Sequence, residues 1–134
     1  MRHWLLKSEP DTYSWSDLVR EGIGTWDGVR NYMARNNLRA MRKGDLALFY
    51  HSVTGKEVVG ICRVVEEHFP DPGAPGEDWS AVKVAPVKAF AQPVTLATIK
   101  EDPALAEIAL LKYNRLSVVP LTPSEYARIT RLGA

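Results

Sequence analysis

LALFYHSVTGKEVVGICRVVE, Leu46 to Glu66, decides the fold class. Leu46 to His51 is a strongly apolar strand, and the run from Val58 to Glu66 is rich in β-branched side chains. Val53-Thr54-Gly55-Lys56 is a tight connection between them, so the stretch reads as a β-hairpin. Lys43-Gly44-Asp45 supplies the turn before it. Further on, Pro70 to Asp78 carries prolines at 70, 72 and 75 with Gly73 and Gly76, which predicts an exposed loop. Trp79 to Phe90 then alternates: Val82 and Val84 face one way, Ala81, Lys83 and Ala85 the other, as in a half-buried strand. Thr95 to Glu101 reads as a short helix, Asp102-Pro103 as the start of another helical turn, and Leu116 to Leu121 as a final strand. Thr122-Pro123-Ser124-Glu125 starts a closing helix whose apolar face is Tyr126, Ile129 and Leu132.

Toward the N-terminus, His3 to Lys7 is a first strand, and Ser14 with Asp17 makes a capping box for a helix that Gly22 stops. Strands outnumber long helices, and those in the middle are antiparallel neighbours. The expected solution is an α+β single domain over residues 1–134: a small curled sheet or barrel with helices on its outside and ends. A chain of this length buries roughly two-thirds of its unfolded surface and needs no staple. Cys62 is the single cysteine, so no internal disulfide can form. The apolar run in MRHWLLKSEP is too short for a signal peptide or membrane span, which leads to the expectation of a soluble, cytoplasmic protein.

Net charge is +1, from 17 basic and 16 acidic side chains, which argues against a general polyanion binder. The distribution is uneven. Between Gly28 and Lys43 lie Arg30, Arg35, Arg39, Arg42 and Lys43 with no acidic residue. That block could touch a few phosphates or could be a solvated helix face. It overlaps TWDGVRNYMARNNLR, Thr25 to Arg39, a loop leading into a short helix near Asn31 to Met41. Val29, Met33 and Leu38 give it only a broken apolar stripe, so it is poor core material. Trp26 or Tyr32 can stack on a flat ligand, the asparagines can donate and accept, and the arginines can meet phosphate.

These landmarks resemble the EVE domain family of the PUA-like group, which also includes YTH domains. WLLKSEP at Trp4 to Pro10, WDGVRNYMARNNLR at Trp26 to Arg39, GDLALFYHS at Gly44 to Ser52 and RLSVVPL at Arg115 to Leu121 carry the likeness, with GICRVVEEHFPDP at Gly60 to Pro72 in agreement. The resemblance implies a PUA-like mixed and antiparallel β-barrel with flanking short helices. It also implies recognition of a modified nucleobase, methylated or hydroxymethylated cytosine in DNA rather than RNA, by a module that needs no cofactor or metal. A monomer is expected.

Reading such a base in duplex DNA requires extruding it, at a few kcal/mol, and one aromatic platform returns roughly 1–3 kcal/mol. Trp26 is the expected platform. Lys7, Ser8, Asn31, Tyr32, His51 and Ser52, with Arg115 and Ser117 from the last family motif, are the expected pocket contacts. Arg30, Arg35 and Arg39 are the expected phosphate contacts, positioning the strand without reading sequence. Each has a plainer alternative: Trp26 a core indole, Lys7 an outward lysine, His51 a hydrogen-bonded structural histidine, Arg115 a brace for a carboxylate. If Trp26 is an uncovered platform, Trp26→Ala removes binding and leaves thermal unfolding nearly unchanged.

Enzyme readings find less support. His3, His51 and His68 are scattered without metal-ligand spacing, and Gly22-Ile23-Gly24 lacks the lysine and third glycine of phosphate loops. Cys62, among Val59, Ile61 and Val64, reads as inert. Lys7 and Glu9 superficially suit an ASCH-like nucleoside hydrolase, but at a strand end they are expected to form an ion pair. A small-metabolite or nucleoside sensor is the remaining alternative.

Overall fold

The computed structural model describes residues 1–134. Its six strands, β1 His3–Ser8, β2 Gly24–Trp26, β3 Leu46–His51, β4 Glu57–Pro70, β5 Ser80–Thr95 and β6 Val118–Leu121, form one mixed sheet in the order β2-β5-β4-β3-β1-β6. Only β1 and β3 run parallel. Trp4 to Leu6 and Ala47 to Tyr50 are unbroken buried runs, as strands covered on both faces require. The predicted hairpin is β3–β4, and β4 extends past its expected end to Pro70 because it continues pairing with β5.

The end strands β2 and β6 do not pair, so hydrogen bonding leaves the expected barrel an open sheet. It curls nonetheless. Register breaks interrupt β3–β4 at Phe49/Tyr50 and β4–β5 at four places, and each such bulge bends the strand and deepens the twist. Helix α2, Tyr32–Ala40, packs against both β5 and β6, which three intervening strands separate in the sheet. Ala34 and Leu38 are its buried face, and polar side chains fasten its flanks. Asn37 Nδ2 donates to the Val118 carbonyl at 2.7 Å, and Arg39 Nε donates to Ser80 Oγ at 2.8 Å. The asparagines and arginines that make this segment look unlike core thus hold the two ends of the sheet to one helix.

Local signals elsewhere act as read. Ser14 and Asp17 close a capping box on α1, Trp15–Glu21, with Gly22 at its C-cap. Thr95 caps α3, Leu96–Glu101; Asp102 caps a 3-10 turn, Pro103–Leu105; and Thr122 with Glu125 caps α5, Pro123–Leu132. A single-turn helix α4, Ala109–Lys112, and the three-residue β2 escaped the sequence reading, both being too short to show a period. Trp15 lies over Gly60, where a Cβ would come within 2.6 Å of the indole.

His51 is part of this helix docking rather than of a pocket, which corrects its expected role. Its Nε2 accepts the backbone N–H of Trp15 at 3.1 Å, in the first turn of α1, and its ring meets Phe49 edge-on. Burial lowers its pKa below the ordinary value, with Glu57 acting weakly the other way. The folded state therefore holds His51 neutral while the unfolded chain takes up the proton first, near pH 6.5. Stability from this group is complete above about pH 6.5 and is lost as pH falls toward the folded pKa. Urea midpoints should drop between about pH 7.5 and about pH 5.5, above the carboxylate range. His51→Gln, which keeps an acceptor that does not titrate, should flatten that drop; an unchanged slope would remove His51 as its source.

The loop between β4 and β5 is anchored by Asp71, which is 1% exposed. Its carboxylate accepts from the Gly28 amide at 2.9 Å, the Gly73 amide at 2.7 Å and Arg30 Nη1 at 2.8 Å. Burial alone would raise its pKa, but these donors outweigh it and hold it below the ordinary carboxylate value. Gly28 has φ +74, which a side chain would resist, so the turn after Trp26 is both left-handed and tied. Asp71→Ala strands two backbone donors and should cost about 2–4 kcal/mol in urea unfolding. A change near zero would mean that the Trp26–Arg30 turn holds its shape without this carboxylate.

Candidate nucleobase site

Five strand ends, loops and helix ends converge around Trp26. The end of β1 brings Lys7 and Ser8, the loop after it Thr12 and Tyr13, the end of β2 Trp26, and the N-terminus of α2 Asn31; Ser117 arrives just before β6. Together with Glu9, Thr25 and Asp27 to Arg30 they line a hollow of about 610 Å³. Lys7, Ser8, Trp26, Asn31 and Ser117 are thus brought together, although 110 residues separate the first from the last.

Trp26 is 7% exposed and belongs to the core. Tyr13 and Phe49 meet it edge-on, at interplanar angles of 82° and 89°, and no aromatic ring lies parallel to it. The hollow adjoins the indole, yet most of the ring packs. Trp26→Ala therefore removes core packing as well as any platform, and the expectation of unchanged thermal unfolding does not survive.

The polar groups differ in how much capacity they keep. Lys7 is half-buried, its pKa lowered by burial, and Nζ donates to the Asn114 carbonyl at 3.2 Å. That leaves further N–H bonds on the ammonium. The expected Lys7–Glu9 ion pair does not form, nor does Glu9 pair with an arginine. Asn31 Oδ1 caps α2 by accepting the Ala34 amide at 2.9 Å, while its Nδ2 has no protein acceptor. Ser8 Oγ donates to the Tyr13 carbonyl and still offers lone pairs.

Other expected contacts lie elsewhere. Tyr32 is 67% exposed and stacks on Trp79 with centroids 5.2 Å apart, outside the hollow. Arg35 lies over both rings, which makes this an outer brace between α2 and the start of β5. The arginines read as phosphate contacts are occupied: Arg30 by Asp71 at 2.8 Å, Arg35 by Asp78 at 3.0 Å, and Arg39 by Asp78 at 2.5 Å. Asp71 and Asp78 lie some 40 residues away, so the acid-free stretch gave no hint of them. Ser52 and Arg115 line a second hollow, of about 750 Å³, which shares Lys7, Glu9 and Ser117 with the first.

Sequence reasoning missed Tyr13, Thr12 and Thr25 in the wall. The signal available was the short interval between Ser8 and the Ser14 cap, which forces that loop to fold back over the strand end. Cys62 is fully buried, which pushes its thiol up to about 12 and leaves it unreactive. No three His, Cys, Asp or Glu side chains group so as to hold a metal ion, and no helix is long and apolar enough to cross a membrane.

Comparison with known proteins places this geometry. Human thymocyte nuclear protein 1 is 34% identical over 92% of this chain and 70% of its own length, and the mouse protein 35% identical over 97% and 73%. A crystal structure of an Agrobacterium tumefaciens protein is 43% identical with a TM-score of 0.98, covering 100% of this chain and 94% of that one. The human THYN1 protein, crystallised in complex with 5-methylcytosine-containing DNA, is 33% identical with a TM-score of 0.91 over 99% of this chain and 98% of that one. A mutant ZmASCH protein from Zymomonas mobilis, at 11% identity and a TM-score of 0.61, shares the fold alone. The EVE domain profile matches residues 2–132, and this chain belongs to the EVE domain family.

Proposed function

We propose that this protein is a binding module that receives a modified nucleobase, 5-methylcytosine or its hydroxymethyl counterpart in DNA, in the hollow beside Trp26. One observation carries the reading: five residues singled out from the sequence, Lys7, Ser8, Trp26, Asn31 and Ser117, line a single hollow. The human relative's complex with 5-methylcytosine-containing DNA supports the choice of base. The sheet, though unclosed, plays the part of a PUA-like barrel mouth, with the strand ends of β1 and β2 at its rim.

The chemistry of the wall suits a cytosine edge. Lys7 Nζ and Asn31 Nδ2 are donors for the ring carbonyl and ring nitrogen, while Glu9 and Ser8 Oγ are acceptors for the exocyclic amine. A thymine presents a carbonyl where cytosine presents that amine, which sets two acceptors against each other. The methyl group adds only about 0.8 kcal/mol of apolar burial, so preference for the methylated base should be about fourfold. Binding without turnover is the proposal: Lys7 and Glu9 face the hollow as separate recognition groups.

Lys7→Met keeps the aliphatic stem and removes a half-buried ammonium, so folding stability should hold. Loss of one charge-assisted hydrogen bond, about 1.5–3 kcal/mol, predicts roughly 10- to 150-fold weaker binding of a 5-methylcytosine oligonucleotide. Fluorescence anisotropy against methylated and unmethylated probes measures both numbers. Equal affinity in wild type and Lys7→Met would refute the placement of the base, and release of a modified product during incubation would replace a reader with an enzyme.

A further inference from the structure

We infer that the second hollow is a seat for the phosphodiester backbone flanking the bound base, with Lys56, Lys100 and Arg115 as its phosphate contacts. This rests on the base-binding reading and relocates the anion contacts away from α2.

Three observations carry it. First, the hollow adjoins the base site, sharing Lys7, Glu9 and Ser117, so a strand whose base enters one must lay its backbone near the other. Second, its lining holds four cations, Lys7, Lys56, Lys100 and Arg115, against one carboxylate, Glu9. Lys56, Lys100 and Arg115 are exposed and make no ion pair, whereas Arg30, Arg35 and Arg39 on and before α2 are all engaged by Asp71 or Asp78. A phosphate arriving at α2 would have to displace a carboxylate; one arriving in the second hollow would displace only counterions and water.

Third, the hairpin turn at its rim is strained. Val53 and Lys56 both stand in the left-handed region, at φ +66 and +47. This is unfavourable for L side chains and most of all for a β-branched one. Glycine would relax either position. Keeping a valine and a lysine there holds a side chain of each against the hollow, which is how strain at a binding rim is retained. The apolar wall of Leu96, Leu110 and Leu111 offers surface for sugar rather than for a second set of charges.

The test titrates an oligonucleotide bearing one 5-methylcytosine, single- and double-stranded, between about 50 and 200 mM salt. Lys56→Gln, Lys100→Gln and Arg115→Gln combined should lower the magnitude of the log–log salt slope by about 2–3, since each lost phosphate contact removes about 0.7–0.9. Methylated and unmethylated probes should weaken by the same factor. Lys56→Gly removes a charge and a strained φ together, so its urea midpoint should hold or rise while oligonucleotide affinity falls. A more stable Lys56→Gly with unchanged affinity, or an unchanged slope in the triple variant, overturns the seat. Wild-type protein that binds free 5-methyl-2′-deoxycytidine but no oligonucleotide overturns the seat and spares the base site. Binding of neither overturns both.

Discussion

One nine-residue helix must reach both ends of a curled sheet, and the placement of everything around the hollow follows from that constraint. α2 touches β5 and β6, second and last in the strand order. β5 carries β2 and hence Trp26; β6 carries β1 and hence Lys7 and Ser8. The helix cap is Asn31 itself. The hollow is the space left where these ends converge, so its walls are positioned by the same hydrogen bonds that keep the sheet bent. Asn37 and Arg39 serve that bend, although neither lines the hollow.

Charge pairing sorts the cations into two populations. The basic block after Gly28 carries no acid of its own, yet the β4–β5 loop folds across it and delivers Asp71 and Asp78. Asp71 is buried and hydrogen-bonded from three sides, so its hold on Arg30 is firm. Asp78 is exposed and its pairs with Arg35 and Arg39 are screened, which makes them weaker on general grounds. Lys56, Lys100 and Arg115, which make no ion pair, line the other hollow, across Lys7 from the first. A near-neutral protein thereby concentrates usable positive charge on one side of its candidate site without showing an excess in composition.

Trp26 carries two burdens. Tyr13 and Phe49 pack against it edge-on, which stiffens the ring and keeps it out of a competing stack. A rigid aromatic surface loses less entropy on binding than a mobile one. The same packing ties the integrity of the core to the residue proposed to read the ligand, so truncation there perturbs fold and function together.

Local features of this chain were written in the sequence. Caps at Ser14, Thr95, Asp102 and Thr122, the stop at Gly22 and the β3–β4 hairpin each depend on residues within a few positions of one another, where short-range sterics and hydrogen bonding decide the outcome. The gathering of Lys7, Ser8, Trp26, Asn31 and Ser117 was also legible, through motifs that resemble a family. Tertiary structure alone decided which polar residues were left for a ligand. Whether Arg35 is free or paired, whether His51 faces a pocket or an amide, and whether Tyr32 stacks inward or on Trp79 all turn on groups 36 to 47 residues away. Nothing local records where a curled sheet will bring such partners, because the register breaks that bend it act through pairing across strands rather than along one.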